Sequence, residues 1–178
     1  MRQLVVWIPD WPALVALADR PADTALAVFA KGVVLACTQQ ARANGVRRGM
    51  RRRDAQGRCP GLVVVDQRAE VDAKAFEQVL TLIDQFSPTA SLLRPGLAAL
   101  AVPEKFYGGE AEAAAILTEL LVEQGVWDVR IGIADGVFVA ELAARQAATQ
   151  EAVIVPPSKN VDYLRDLPVE VLDIANAG

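Results

Sequence analysis

Short apolar runs alternate with longer amphipathic stretches along this chain of 178 residues. A run of four or more apolar residues bounded by turn residues is typical of a buried strand. This pattern predicts eight strands, at residues 4–8, 25–29, 33–37, 62–65, 90–93, 97–102, 129–133 and 152–155. The second and third strands are predicted to form a hairpin through Lys31 and Gly32.

The stretches with helical spacing predict the helices. In residues 71–86 the apolar positions recur every three or four residues, and residues 111–124 repeat the pattern before Gly125. Further helices are predicted after Asp10, after Gly136 to about residue 148, and at 162–165. Asp10 and Asp135 are interpreted as caps of the helices that follow them.

The order of these elements predicts an α/β (α+β) fold in which helices lie on one face of a mostly antiparallel sheet. The length suits one domain, or one domain with a small subdomain, and the 53% hydrophobic composition is enough for a core.

Arginine is concentrated in one segment, which we call the arginine stretch, Gln39–Pro60. It contains seven arginines and a single acid, Asp54, although the whole chain has a formal charge of −4. The seven are Arg42, Arg47, Arg48, Arg51, Arg52, Arg53 and Arg58. A local positive excess on an acidic protein indicates a polyanionic partner, and a solvated arginine-rich turn is the alternative.

Composition excludes several classes of protein. The chain has no run of 18 uncharged apolar residues and no pattern of a secretory signal, so we expect a cytoplasmic protein without a membrane span. It contains no histidine, which removes Ser-His-Asp and Cys-His catalysis. Cys37 and Cys59 lack metal spacing and are interpreted as small buried residues in a reducing compartment, with a disulfide between them as the alternative.

Two segments carry a resemblance to a known family. GVVLACTQQARANGVRRGMRRRDAQGRCPGLVVV resembles the fingers segment of Y-family (DinB/UmuC-like) translesion DNA polymerases, and VRIGIADGVFVAELAARQAATQEAVIVPP resembles their Gly-Ile-Ala loop and the helix after it. DYLRDLPVEVLDI is similar to the start of their thumb. The resemblance implies a palm at residues 1–10 and 78–166, fingers at 11–77 and the start of a thumb at 167–178, with the little finger missing from this chain.

The same resemblance implies where catalytic acids would lie. Family members hold two metal ions with carboxylates on the first palm strand and on a later acidic pair. Here the first-strand positions are Trp7 and Pro9, and the later pair is Pro95 and Gly96. Asp10 is one residue out of register, which turns a strand side chain to the other face. We therefore expect neither a metal site nor catalytic residues. Mg²⁺ is expected as a cofactor only if the chain is an active polymerase.

The position of the tyrosine that binds the triphosphate in the family is Gln39, whereas its arginine partner is retained as Arg42. Arg42 is expected either to contact phosphate or to form a salt bridge with a nearby acid. The remaining arginines of the stretch, Arg47, Arg48, Arg51, Arg52, Arg53 and Arg58, are expected to contact nucleic-acid backbone.

Loss of all the metal ligands resembles the ImuB-type proteins, Y-family relatives without polymerase chemistry. The resemblance implies an adaptor in an induced mutagenic complex with an ImuA-type protein, an error-prone C-family polymerase and the sliding clamp. Two alternatives stay open at this point. One is a divergent active polymerase that uses Asp10, and the other is a protein-binding scaffold whose arginines meet acidic partners.

Overall fold

A computed structural model of the chain describes residues 1–169 and residue 171. Within these residues the strands are β1 (Arg2–Trp7), β2 (Leu26–Ala30), β3 (Val33–Cys37), β4 (Val63–Asp66), β5 (Ser91–Arg94), β6 (Leu97–Ala101), β7 (Arg130–Asp135) and β8 (Ala152–Ile154). The helices are α1 (Trp11–Leu17), α2 (Gln39–Ala43), α3 (Arg52–Arg58), α4 (Ala69–Phe86), α5 (Glu104–Tyr107), α6 (Glu110–Glu123), α7 (Val137–Gln146) and α8 (Asn160–Arg165).

The chain divides into two compact units. The first, which we call the sheet unit, combines Met1–Pro9 with the chain from Gln78 onward, and the second, the inserted unit, is Asp10–Glu77.

The sheet unit is built on five strands in the order β5-β6-β1-β7-β8. Strand β1 lies at the centre and pairs antiparallel with β6 on one side and β7 on the other, and only the β7–β8 pair is parallel. Strand β1 is an almost continuous apolar run because both of its faces are buried, as the full burial of Leu4 and Val5 shows.

Helix α7 packs against one face of this sheet. Its small residues, among them Ala140 and Ala144, join Val5 and Leu97 in a buried cluster. At Gly132 no side chain separates helix from strand, since a Cβ there would lie 2.0 Å from the carbonyl oxygen of Ala140 and 2.3 Å from the backbone nitrogen of Ala144. Glycine is therefore required at this position for the helix to approach the sheet this closely.

The inserted unit has its own three-stranded sheet, in the order β3-β2-β4. Strands β2 and β3 form the predicted hairpin, and the turn places Lys31 and Gly32 at positive φ angles of 49° and 81°. Strand β4 pairs parallel with β2. One face of this sheet packs against α1 and the other against the arginine stretch, whose buried residues include Val46 and Ala55.

Arg2 connects the start of β1 to three other parts of the sheet unit. Its Nε and Nη2 donate to the two carboxylate oxygens of Glu110 at 2.5 and 2.7 Å, and its Nη1 donates to Asp135 Oδ1 at 3.3 Å. Nη2 also donates to the carbonyl oxygen of Val155 at 2.8 Å. Asp135 in turn accepts the backbone N–H of Ser158 at 2.6 Å through Oδ2. These bonds hold the segment after β8 against the sheet.

The structure confirms the predicted mixed α/β fold with mostly antiparallel pairing. The sequence missed the one-turn helix α5, which is too short to show a hydrophobic period. The thumb expected at 167–178 lies largely outside the described residues. Among the helices of the described part, none has both the length and the hydrophobicity for crossing a bilayer.

The prediction that Asp135 caps the following helix is wrong. The N-cap position of α7 is occupied by Gly136, which has no side chain with which to cap the helix. Asp135 is the last residue of β7, and its carboxylate is already bound to Ser158 and Arg2.

We predict that Gly132→Ala destabilises the sheet unit by about 3 kcal/mol, because the added methyl group meets backbone atoms that cannot rotate away. Urea unfolding would measure the change. Gly57→Ala is the control, since it lies inside α3 with no atom within 4 Å of the added Cβ, and it is expected to stabilise the inserted unit by about 0.5–1 kcal/mol. A Gly132→Ala protein as stable as the wild type would show that α7 does not approach β7 as described.

A second prediction concerns acid pH. The hydrogen bond from Ser158 and the nearby Arg2 hold the pKa of Asp135 below its usual value. Ionised Asp135 therefore stabilises the fold fully at a pH above the usual pKa of aspartate in the unfolded chain. The stabilisation is lost as the pH falls through the lowered pKa. Urea unfolding at pH 7, 5 and 3 should therefore show Asp135→Asn less stable than the wild type at pH 7, with the gap closing at acid pH. Glu119→Gln, on an exposed position of α6, should show no such closing gap.

Candidate functional site

The arginine stretch consists of the two short helices α2 and α3 and the compact turn that joins them. Thr38 is the N-cap of α2, and its Oγ1 accepts the backbone N–H of Ala41 at 3.4 Å. Two backbone hydrogen bonds join the turn to β3, from Val34 N–H to the carbonyl oxygen of Met50 and from Gly49 N–H to that of Val34, each at 2.8 Å. Gly49 adopts a φ angle of +83°, which glycine permits without strain. The loop is thus held to the sheet by its backbone, and its long side chains stay at the surface.

All seven arginines of the stretch are exposed, but they differ in their contacts. Arg52 donates to Asp66 Oδ1 at 2.6 Å, and its guanidinium lies 5.1 Å from the ring centre of Phe29. Arg47 donates through Nη1 to two backbone carbonyl oxygens, those of Arg42 and Val46. These contacts fix the directions of some of the arginines while neutralising only part of their charge.

Several of these arginines carry charge that no acid in the described part of the chain balances. Arg51, Arg53 and Arg58 form no ion pair with any residue in the described part of the chain. An exposed guanidinium has five N–H donors and suits the oxygens of a phosphate group. This surface therefore fits an extended anion.

Asp10 has a different role from the predicted one. It precedes α1 in a left-handed conformation, with φ at 54°, and its side chain makes no capping hydrogen bond. One oxygen accepts the backbone N–H of Cys37 at 3.1 Å, and the other pairs with the guanidinium of Arg42. The expected cap is thus wrong, and both carboxylate oxygens are engaged inside the inserted unit.

The ion pair between Asp10 and Arg42 affects the pKa values of Arg42 and of the neighbouring Cys37. For Arg42, burial lowers the pKa, but attraction to Asp10 and Cys37 outweighs burial, so the pKa lies above its usual value. Burial raises the pKa of the Cys37 thiol, Asp10 adds to the increase, and Arg42 opposes it. Cys37 and Cys59 are both buried free thiols, as the sequence indicated. Cys37 is accordingly a protonated core residue at neutral pH.

A second site lies at the end of β1 in the sheet unit. Trp7 pairs across the sheet with Leu97 of β6 and with Arg130 of β7, and Leu97 pairs with Arg94 of β5. Cross-strand partners share a face of the sheet. Arg94, Leu97, Trp7 and Arg130 therefore form one row across four strands, on the face that α7 covers.

Helix α7 adds an acid and a third arginine to this row. Glu141 Oε1 accepts from Arg94 Nη2 at 2.5 Å, and also from Arg145 Nη2 at 2.8 Å and Arg145 Nε at 3.1 Å. The guanidinium carbons of Arg145 and Arg130 lie 5.1 and 5.4 Å from the ring centre of Trp7, within the range of cation–π attraction. We call this group, Trp7, Arg94, Arg130, Glu141 and Arg145, the Trp7 cluster.

The Trp7 cluster lies at the end of β1, where the resemblance implies that family members carry metal ligands. The backbone N–H of Ile8 donates to the carbonyl oxygen of Gly96 at 2.8 Å, so the end of β1 and the Pro95–Gly96 turn do meet. Magnesium requires oxygen ligands, chiefly carboxylates. The side chains at the four positions, Trp7, Pro9, Pro95 and Gly96, offer no carboxylate, and two guanidiniums lie beside the ring of Trp7.

A divalent cation does not fit this donor set. Among the described residues, no group of three or more Asp, Glu, Cys or His side chains is arranged to hold a metal ion. Glu141 is the one carboxylate of the Trp7 cluster, and two arginines already share one of its oxygens.

Sequence reasoning missed the Trp7 cluster. The spacing of Glu141 and Arg145, four residues apart on one helix, was a readable signal of an ion pair. The positions of Arg94 and Arg130 in the same row as Trp7 depend on strand register, which single-sequence patterns do not fix.

Comparison with known proteins gives a consistent result. Residues 6–145 match the profile of the impB/mucB/samB family, denoted IMS. A protein named DNA polymerase IV 2 from Mesorhizobium japonicum is 31% identical over 144 residues, which cover 79% of this chain and 34% of that protein. DNA polymerase IV from Ectopseudomonas mendocina is 27% identical over 158 residues, covering 88% of this chain and 45% of that protein. The chain thus spans between a third and a half of the length of these relatives.

A solved structure shows the same fold. The structure described as a Dbh ternary complex superimposes with a TM-score of 0.81 at 21% identity, over 97% of this chain and 53% of that one. At this level of identity the likeness establishes the fold.

Proposed function

Because the chain belongs to the impB/mucB/samB family, we propose that it is a non-catalytic, Y-family polymerase-like module that acts as an adaptor in DNA damage tolerance. In this proposal the sheet unit corresponds to the palm and the inserted unit to the fingers of a Y-family polymerase. It contacts DNA backbone through the arginine stretch, and its other partners are an ImuA-type protein, an error-prone C-family polymerase and the sliding clamp.

The observation that carries the proposal is the composition of the Trp7 cluster. Nucleotidyl transfer needs carboxylates to hold the metal ions that activate the attacking oxygen. The corresponding positions carry an indole, two prolines and a glycine, beside three arginines. Asp10, the carboxylate nearest in sequence, is already paired with Arg42 and Cys37.

Contact with nucleic acid is supported by the arginine stretch. Arg51, Arg53 and Arg58 present exposed charge, and backbone contacts of this type give affinity without sequence preference. The structural relative is a ternary complex with substrates, as its description states. A retained phosphate contact at Arg42 is compatible with its ion pair, because its side chain is 49% exposed.

One observation favours a second candidate, a divergent active polymerase. The curated relatives at 31% and 27% identity are named as DNA polymerases. In that case Asp10 would have to leave Arg42 and bind Mg²⁺ together with a carboxylate from elsewhere in the complete protein.

Primer extension separates these two candidates. We predict that the complete protein extends no primer with Mg²⁺ or Mn²⁺, because the described residues of the sheet unit include no group of carboxylates that could hold the two metal ions of the reaction. A fluorescently labelled primer–template on a denaturing gel would measure this, with an active Y-family polymerase as positive control. Metal-dependent extension that disappears in Asp10→Asn would establish the active alternative.

A salt titration tests the DNA contact. We predict that Arg51→Gln/Arg53→Gln/Arg58→Gln weakens binding to primer–template and makes the slope of log affinity against log salt shallower by about 2 to 3, since each phosphate contact contributes about one. Fluorescence anisotropy of labelled DNA with the complete protein would measure both quantities.

The matched control for this titration is Arg20→Gln/Arg68→Gln/Lys74→Gln, which removes the same charge from exposed positions of the same unit. Equal slopes for the two triple variants would contradict backbone contact by the stretch and favour a scaffold whose arginines meet acidic proteins.

A further inference from the structure

We propose that the Trp7 cluster is a metal-free phosphate-binding site, in which fixed guanidiniums hold a backbone phosphate of nucleic acid. The identity of the ligand rests on the proposed function, whereas the chemistry of the site rests on the cluster itself. A free nucleotide or pyrophosphate carries the same chemical group, and the experiment below distinguishes these sources.

The first argument is the charge of the cluster. Arg130 is balanced, because its Nε and Nη2 donate to the two oxygens of Asp128 at 2.9 and 3.2 Å. Arg94 and Arg145 instead share a single oxygen of Glu141. Two guanidiniums against one carboxylate leave one positive charge. An anion with several oxygens is the group that balances it.

The second argument is the number of hydrogen-bond donors. A guanidinium has five N–H groups. Arg94 uses only Nη2, and Arg145 uses only Nε and Nη2, toward any residue in the described ranges. The side chains are 35% and 19% exposed, so the remaining donors are partly withdrawn from water yet still reachable. A phosphate oxygen bound there would be less screened than one on the open surface.

The third argument is preorganisation. Trp7 lies within 5.5 Å of two guanidinium carbons and limits their movement. Arg145 is further fixed by two bonds to Glu141, and Arg130 by Asp128 and the carbonyl oxygen of Ala147. Arginines that are ordered before binding lose less conformational freedom when an anion arrives. The fixed arginines therefore suit the binding of an anion, and their contacts also stabilise the sheet unit.

The experiment measures binding of the complete protein to labelled primer–template in the presence of EDTA, so that no divalent ion contributes. We expect Arg94→Gln to weaken binding about three- to tenfold and to make the salt slope shallower by about 1. Arg94→Lys should retain most of the salt slope, because it keeps the charge. The control Arg165→Gln removes one charge from an exposed position of the same unit and should change neither quantity.

A second variant works in the opposite direction. Glu141→Gln keeps the size of the side chain but frees both arginines from their carboxylate, so it should bind more tightly and with a steeper salt slope. A purely structural role for the cluster would produce no such gain. Thermal unfolding of each variant identifies those that are folded.

The outcomes are distinct for the two proposals. If Arg94→Gln and Glu141→Gln both bind like Arg165→Gln while the triple arginine variant of the stretch is impaired, the DNA contact stands and the Trp7 site is refuted. If the wild type binds no DNA, calorimetry with pyrophosphate decides between two outcomes. Pyrophosphate binding that is lost in Arg94→Gln supports a phosphate site for free nucleotides. The absence of any heat of binding overturns the proposal of a phosphate site in the Trp7 cluster.

Discussion

The close approach of α7 to β7 at Gly132 determines the geometry of the sheet unit. With no Cβ between them, the helix backbone lies directly on the strand. Glu141 and Arg145 are thereby brought down onto the face that carries Trp7. A larger residue would lift the helix and separate the acid and the arginines that now share it. The cluster at the end of β1 is thus a consequence of packing some distance away from it.

The two basic regions differ in how their charge is held. In the arginine stretch the backbone is fixed by hydrogen bonds to β3, while Arg51, Arg53 and Arg58 extend into solvent. In the Trp7 cluster the guanidiniums themselves are fixed by an aromatic ring and by carboxylates. Both stand out against a chain whose formal charge is −4. The first arrangement suits adaptable contact with an extended polyanion, and the second suits one defined group.

The sequence predicted local structure better than it predicted the sites. Apolar runs marked the strands, and Lys31-Gly32 marked the hairpin, because these signals act within a few residues. Asp10 and Asp135 illustrate the limit. Each has a residue type and position typical of a cap, yet each binds partners far along the chain, Arg42 and Cys37 in one case and Arg2 and Ser158 in the other. Long-range ion pairs and hydrogen bonds to distant backbone N–H groups prevailed over local preference.

The row beneath α7 depends on one irregularity at the edge of the sheet. Strand β5 pairs Leu92 with Ala98 but Arg94 with Leu97, so Leu93 is one residue more than β6 can match. Such a bulge reverses which face the following side chain points to. Without it, leucine would stand beside Leu97 and Arg94 would be directed away from Glu141. The pairing register of this edge strand, and not only the identity of its residues, therefore decides which side chain lies beneath α7.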